Sequence, residues 1–258
     1  MKKLLLSACL LATSLVASAQ FTPTFKDAGT AYRVSYSPMS LDFDNSYMED
    51  WKFKGVSFEY VKSFGVVEEM PIFLEVGAGL QWLNDRESEE QETTLGDKKY
   101  EMVYKTAVNI FSLNVPINIG YKFTLQDNIT VMPYVGLNAR VNLLANTTSK
   151  IKADDYYEAL EKQFEETLGE NWKEKYKEAY GEEYKGADNR EKSSLFDKDK
   201  RGEYTLKRFL LGWQIGATAT YENYSFGISY GSCFTDEIIN KLEDCKFGGA
   251  TISVGYTF

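Results

Sequence analysis

From about residue 29 onward the chain alternates apolar and polar side chains with a period of two, the beat of a half-buried β-strand. Segment 29–39 sets Tyr32, Val34 and Tyr36 against Ala31, Arg33 and Ser35, and 52–64 sets Val56, Phe58 and Tyr60 against Gly55, Ser57 and Glu59. Segment 71–83 places Ile72, Leu74, Val76, Leu80 and Trp82 opposite Glu75, Gly77, Gly79 and Gln81. In 111–123 the odd positions Phe111, Leu113, Val115, Ile117, Ile119, Tyr121 and Phe123 are apolar, with Ser112, Asn114, Asn118, Gly120 and Lys122 between them. Upstream, Tyr100, Met102 and Tyr104 keep the apolar beat on even positions, so the phase slips near Asn109-Ile110 and predicts a bulge or break there. Segments 129–143, 206–221, 224–231 and 251–258 repeat the pattern and bring the expected strands to eight.

Half-buried strands also build soluble sandwiches. Three features favour a membrane barrel. The face opposite the apolar one is rich in Gly, Ser, Thr and Asn, which suits the narrow interior of an eight-stranded barrel better than a water-facing sheet. Connections alternate between short (65–70, 126–128, 222–223) and long (41–50, 84–99, 146–204, 235–244), as short periplasmic turns and long outer loops do. Aromatics gather at the expected interfaces: Tyr121, Phe123, Tyr221, Tyr224, Tyr256 and Phe258 at one end, Tyr36, Trp82 and Phe209 toward the other. The chain therefore reads as all-β, an eight-stranded antiparallel transmembrane β-barrel with a helical extracellular insertion over 146–204.

The N-terminus extends this picture. Lys2 and Lys3, the apolar run 4–16 and Ala17-Ser18-Ala19 form a signal peptide over 1–19, with cleavage between Ala19 and Gln20. A lipoprotein reading at Leu6-Ser7-Ala8-Cys9 leaves too short an apolar segment before the cut. The expected location is the outer membrane, with residues 20–258 as the barrel domain and outer-membrane lipid as its surroundings. Export makes a disulfide between Cys233 and Cys245 available, and two free thiols fit the sequence equally well.

Composition mostly removes alternatives. Aromatic residues make up 15% of the chain, which favours strands, and the net charge of −9 argues against a nucleic-acid partner. The chain has no histidine, which eliminates His-based triads and His metal sites. No Ser–Lys pair or paired carboxylates stand out, so no catalytic residues, cofactor or metal are expected. The segment Asp197-Lys198-Asp199-Lys200-Arg201-Gly202 begins like a calcium loop, but has Arg201 at its fifth position and Arg208 at its twelfth. The acidic run 85–92 reads as a solvated loop.

The stretch Leu113-Asn114-Val115-Pro116-Ile117-Asn118-Ile119-Gly120-Tyr121-Lys122-Phe123 resembles a strand of the Bacteroidetes outer-membrane β-barrel family, porin-like or PorT-like. Pro133-Tyr134-Val135-Gly136-Leu137-Asn138, residues 212–216 and the ending Gly255-Tyr256-Thr257-Phe258 resemble it too. The resemblance implies fold and location more firmly than activity. Terminal Phe258 on its alternating strand resembles the C-terminal signal by which barrel proteins are recognised by the insertion machinery. For some relatives the family resemblance suggests an accessory role in protein export. The insertion 146–204 departs from the smaller members.

Two candidate sites follow. Alternation sends Arg33, Glu59, Glu75, Lys122 and Arg140 into the lumen with Gln81, Asn118, Asn138 and Gln214. They form either a polar pathway or small-ligand site, or a plug of paired charges and hydrogen bonds, since buried charge requires partners. The second is an aromatic stripe over 154–185, where Tyr156, Leu160, Phe164, Leu168, Trp172, Tyr176, Tyr180 and Tyr184 recur every four residues. A step of four advances about 40° past a full turn, so Gly169 and Gly181 are expected to split this stretch into shorter helices. Tyr156, Phe164, Trp172, Tyr176 and Tyr180 then form either a surface for a protein or glycan partner, or a self-packed cap over the barrel mouth. The expected function is structural or surface-binding, with protein-export accessory and narrow channel as alternatives.

Overall fold

The computed structural model describes residues 22–23, 29–44, 50–67, 70–125, 129–242 and 244–258; the expected signal segment 1–19 and the Ala19–Gln20 cleavage pair lie outside them. Eight long strands carry the fold: β1 Thr30–Phe43, β2 Trp51–Val67, β3 Met70–Leu95, β4 Lys98–Tyr121, β5 Ile129–Lys152, β6 Phe209–Tyr221, β7 Tyr224–Cys233 and β8 Cys245–Thr257. Each is hydrogen-bonded to the next in order, β5 directly to β6, and β8 returns antiparallel to β1 through pairs such as Tyr256↔Tyr32 and Val254↔Val34. The sheet thus closes on itself as a ring. A two-residue strand Thr22–Pro23 pairs with Phe123–Thr124.

Chain contacts divide the protein into two compact units, the second made of Asn84–Ile110 and Leu144–Thr205 and the first of the remainder. In the first unit the polarity is inside out. Buried positions include Ser35, Ser57, Glu75, Gln81, Ser112, Asn114, Asn118, Arg140 and Thr218, while Val34, Phe58, Ile119, Val135, Ile215, Ile228 and Val254 are each more than half exposed. The apolar faces read from the sequence point outward.

The same strands reverse this polarity toward one end. On β1, Leu41 and Phe43 are buried and Asp42 between them is exposed. On β2, Phe53 is buried between exposed Lys52 and Lys54, and on β8 Phe247 is buried beside exposed Lys246. Edge-to-face contacts from Trp51 to Phe53 and from Phe53 to Phe247, both at 6.1 Å, knit this apolar interior. The strands therefore have a stretch that is polar within and apolar without, followed by one of ordinary soluble polarity.

That reversal corrects the expected phase slip. β4 runs unbroken over Lys98–Tyr121, and its buried positions stay even on both sides of Asn109-Ile110: Met102, Val108 and Ile110, then Ser112, Asn114 and Asn118. No residue is inserted into the alternation; the environment of the buried face changes while the pleat continues. The segment 84–99, expected as a long loop, is also corrected. β3 continues to Leu95 and turns through Gly96 and Asp97 into β4, with Gly96 at φ 60°, a left-handed conformation that glycine adopts without strain.

The second unit holds the outer parts of that hairpin, the end of β5 and the helical segment. A short strand, Arg190–Ser194, pairs antiparallel with Asn146–Lys150 of β5. Helix α1 covers Asp154–Leu168 and α2 covers Trp172–Tyr180, ending at Gly169 and Gly181. Asp154 and Asp155 in the first turn of α1 suit the positive end of its dipole. Met102, Ala153 and Tyr157 form a core against which Tyr104, Ile151, Tyr156, Leu160 and Tyr184 pack.

Candidate functional site

The interior of the ring presents large polar side chains supported by small ones. Across the β1–β2 ladder Arg33 stands opposite Glu59, and across β8–β1 it stands opposite Gly255. Two glycines create the space these groups occupy. A Cβ on Gly79 would strike the Glu59 side chain and the Phe58 carbonyl, and one on Gly136 would strike the Asn118 amide and the Ile117 carbonyl. Backbone at these points thus serves as floor for a neighbour's side chain.

Arg33 and Glu75 form the central pair. The guanidinium donates through Nη1 to Glu75 Oε1 at 2.7 Å and through Nη2 to Oε2 at 2.6 Å, and Glu75 is 1% exposed. This two-pronged geometry is the strongest form of an arginine–carboxylate contact. Asn118 Nδ2 donates to Glu75 Oε1 at 3.1 Å, and Gln214 Nε2 donates to Asn118 Oδ1 at 2.6 Å, so the chain of bonds crosses the lumen. Lys122 stands apart with its ammonium 3.9 Å from the Phe73 ring centroid.

Arg140 anchors a second network. Its Nε donates to Asn114 Oδ1 at 3.1 Å, its Nη2 donates to Gln81 Oε1 at 2.7 Å, and Asn114 Nδ2 donates to the same Gln81 oxygen at 3.1 Å. The guanidinium lies over the Phe247 ring at 4.6 Å, a favourable cation–π placement. Nearby, Ser112 Oγ donates to Asn142 Oδ1 at 2.9 Å, and Asn142 Nδ2 donates to the Lys207 carbonyl at 2.8 Å.

Two cavities accompany these networks. One of about 90 Å³ is lined by Arg33, Glu59, Gln81, Asn138, Arg140 and Gln214 among others. Another of about 50 Å³ is lined by Arg33, Glu75, Lys122 and residues such as Thr130, Thr218 and Thr220. The nine lumen residues singled out from the sequence therefore divide: Arg33, Glu59, Gln81, Asn118, Asn138, Arg140 and Gln214 share the larger cavity, Glu75 and Lys122 line the smaller, and Arg33 lines both.

Sequence reasoning did not single out Asn114, Asn142, Met39 or Phe247. Asn114 and Asn142 sat on the recognised polar face and carried no charge to mark them. Phe247 lay upstream of the recognised alternation, because the interior there is apolar. No disulfide joins the two cysteines: Cys233 lines the larger cavity, and buried Cys245 donates through Sγ to the Leu242 carbonyl at 3.7 Å.

In the second unit the aromatic stripe folds onto itself. Phe164 contacts Trp172 at 5.4 Å, Tyr176 at 5.8 Å and Tyr184 at 5.8 Å, and Trp172 and Tyr184 meet edge-on at 5.0 Å. Trp172 is buried, Tyr156 is half-buried against Tyr157, and Tyr180 is 70% exposed. Tyr157 accepts a hydrogen bond from Asn189 Nδ2 at 2.6 Å. Burial, and secondarily the nearby Glu161 carboxylate, pushes the Tyr184 phenol up to about 12. Asp197 accepts a hydrogen bond from the Asp199 amide at 3.0 Å and caps the short helix Lys198–Arg201.

Among the described residues no helix is long and apolar enough to cross a membrane. No family model and no curated protein matches the chain. Similar solved structures are outer-membrane barrel proteins. Neisserial surface protein A is 11% identical with a TM-score of 0.41, covering 90% of this chain and 100% of its own. Ail, the attachment invasion locus protein of Yersinia pestis, is 12% identical with a TM-score of 0.37, over 90% of this chain and 100% of its own. The outer membrane enzyme PagL is 9% identical with a TM-score of 0.36, over 88% and 98%.

Proposed function

We propose that this chain is an outer-membrane β-barrel protein without catalysis, with a lumen filled by paired polar groups and a structural or binding role at the cell surface. The observation that carries the membrane reading is the inside-out stretch of the ring. A polar interior with Val34, Phe58, Ile119, Ile228 and Val254 on the outside places apolar surface where water is a poor solvent and lipid a good one. Outward apolar side chains run from Ile72 to Trp82 on β3, matching the roughly 9–11 residues a tilted strand needs to cross a bilayer. At the polarity reversal, Asp42, Lys52, Lys54 and Lys246 mark where the outer surface meets water again.

The Arg33–Glu75–Asn118–Gln214 chain of bonds supports a plugged lumen over an open pore. Surface binding is supported by the aromatic second unit, where Tyr180 is exposed at the edge of a packed cluster.

The membrane reading is tested with brominated acyl chains, which quench tryptophans in contact with lipid. Trp82 and Trp213 are outward on the ring, 44% and 37% exposed. W82F/W213F is expected to abolish most of the quenching; unchanged quenching in that double variant contradicts the placement. For the binding role, a photocrosslinker at Tyr180 is expected to capture an extracellular partner on intact cells. Capture of periplasmic export components alone would favour the export-accessory reading.

A further inference from the structure

We propose that the larger lumen cavity is a binding site for a small oxyanion of carboxylate type, with Arg140 as its charged ligand. The two arginines of the lumen are provisioned differently. Arg33 has a carboxylate in two-pronged contact. Arg140 is 5% exposed, and its partners are the Asn114 and Gln81 amide oxygens, the Met39 sulfur at 3.4 Å and the Phe247 ring, all uncharged. Among the described residues no carboxylate lies within ion-pair distance of it.

A guanidinium has five N–H donors. The bonds of Arg140 use Nε and Nη2, which leaves the Nη1 pair without an acceptor among the described residues. Arg140 lines the cavity of about 90 Å³, so an acceptor can reach it there. Neutral amides satisfy hydrogen bonds but do not neutralise a buried charge, and a buried charge left uncompensated costs several kcal/mol. A planar carboxylate offers both the charge and the geometry a guanidinium edge favours.

The remaining lining is rich in donors. Asn138, two residues from Arg140 on the same face of β5, also lines the cavity, and the donor it can offer there is its Nδ2 amide. The Ser35 and Ser57 hydroxyls also line the cavity. Its one carboxylate, Glu59, is opposite Arg33 in the β1–β2 ladder, and among the described residues no ion pair joins it to Arg140. The cavity of about 90 Å³ holds several waters at roughly 10–15 Å³ each, and so admits an ion of formate or acetate size. The site belongs to the barrel interior, and stands whether or not the second unit binds a partner.

The test uses the full-length protein in detergent micelles. Sodium formate is titrated at constant ionic strength against sodium gluconate, a much bulkier anion, while the thermal unfolding midpoint is followed. The wild type is expected to show a saturable rise with formate, as any ligand confined to the folded state produces. Arg140→Gln, refolded and heat-modifiable, is expected to lose that rise or to need at least about tenfold more formate. An equal response in both proteins, or none in the wild type, overturns the proposal. Should Arg140→Gln not fold, bromide-soaked wild-type crystals decide: an anomalous peak beside Arg140 Nη1 supports the site, and a cavity holding only water overturns it.

Discussion

At the scale of single residues, the lumen depends on matched partners more than on charge itself. Glu75 accepts from both Arg33 and Asn118, so Glu75→Ala leaves an arginine and an amide without acceptors. The expected cost is about 3–5 kcal/mol in urea unfolding of the refolded barrel. The double variant R33M/E75M should recover most of that loss, because apolar replacement of a whole buried pair is often neutral. Gly136→Ala should cost about 1–3 kcal/mol by forcing the Ile117 carbonyl and Asn118 apart from β5. In the second unit the Tyr184 hydroxyl is enclosed with no hydrogen-bond partner. The fold holds this phenol neutral, with its titration raised from 10.0 to about 12. Its contribution to stability is complete below pH 10 and is lost as pH rises toward 12, since the unfolded chain then releases a proton the folded one retains. Hydrogen exchange in α1 and α2 should show that loss, and Tyr184→Phe should remove the part due to this group.

At the scale of elements, each strand passes through two solvents, and the cost of a substitution depends on which one it meets. Ile228→Lys on the outward face of β7 should cost about 2–4 kcal/mol in bilayer refolding, whereas Lys54→Leu, past the polarity reversal, should change stability by less than about 0.5 kcal/mol. The same reversal explains what the sequence could and could not convey. Alternation identified the outward faces wherever the lining was polar, as in 111–121. Where the interior turned apolar, around Met102, Val108 and Ile110, an uninterrupted strand looked like a slipped one. In 84–95 the two faces became almost uniformly polar, so the outer part of β3 lost its periodic signal and read as loop. Helix ends were clearer, because Gly169 and Gly181 interrupt the stripe in the chemistry of the sequence itself. Which lumen groups would bond each other was not readable, since Arg33 and Glu75 are brought together by closure of the ring across 42 positions.

At the scale of the molecule, a closed ring and a separately packed unit predict separable stability. Replacing Asn84–Ile110 and Leu144–Thr205 with short turns should leave the lumen networks of Arg33 and Arg140 intact, because every bond in them lies within the first unit. Circular dichroism and unfolding of that trimmed chain in micelles check this, with retained strand content expected. The central claim is that the inside-out ring is a closed barrel residing in a membrane. It is tested most directly by extracting outer membranes with detergent and running the protein on a denaturing gel with and without boiling. A faster-migrating unboiled band that shifts on heating is predicted; recovery in the soluble periplasmic fraction, with identical migration before and after boiling, would contradict it.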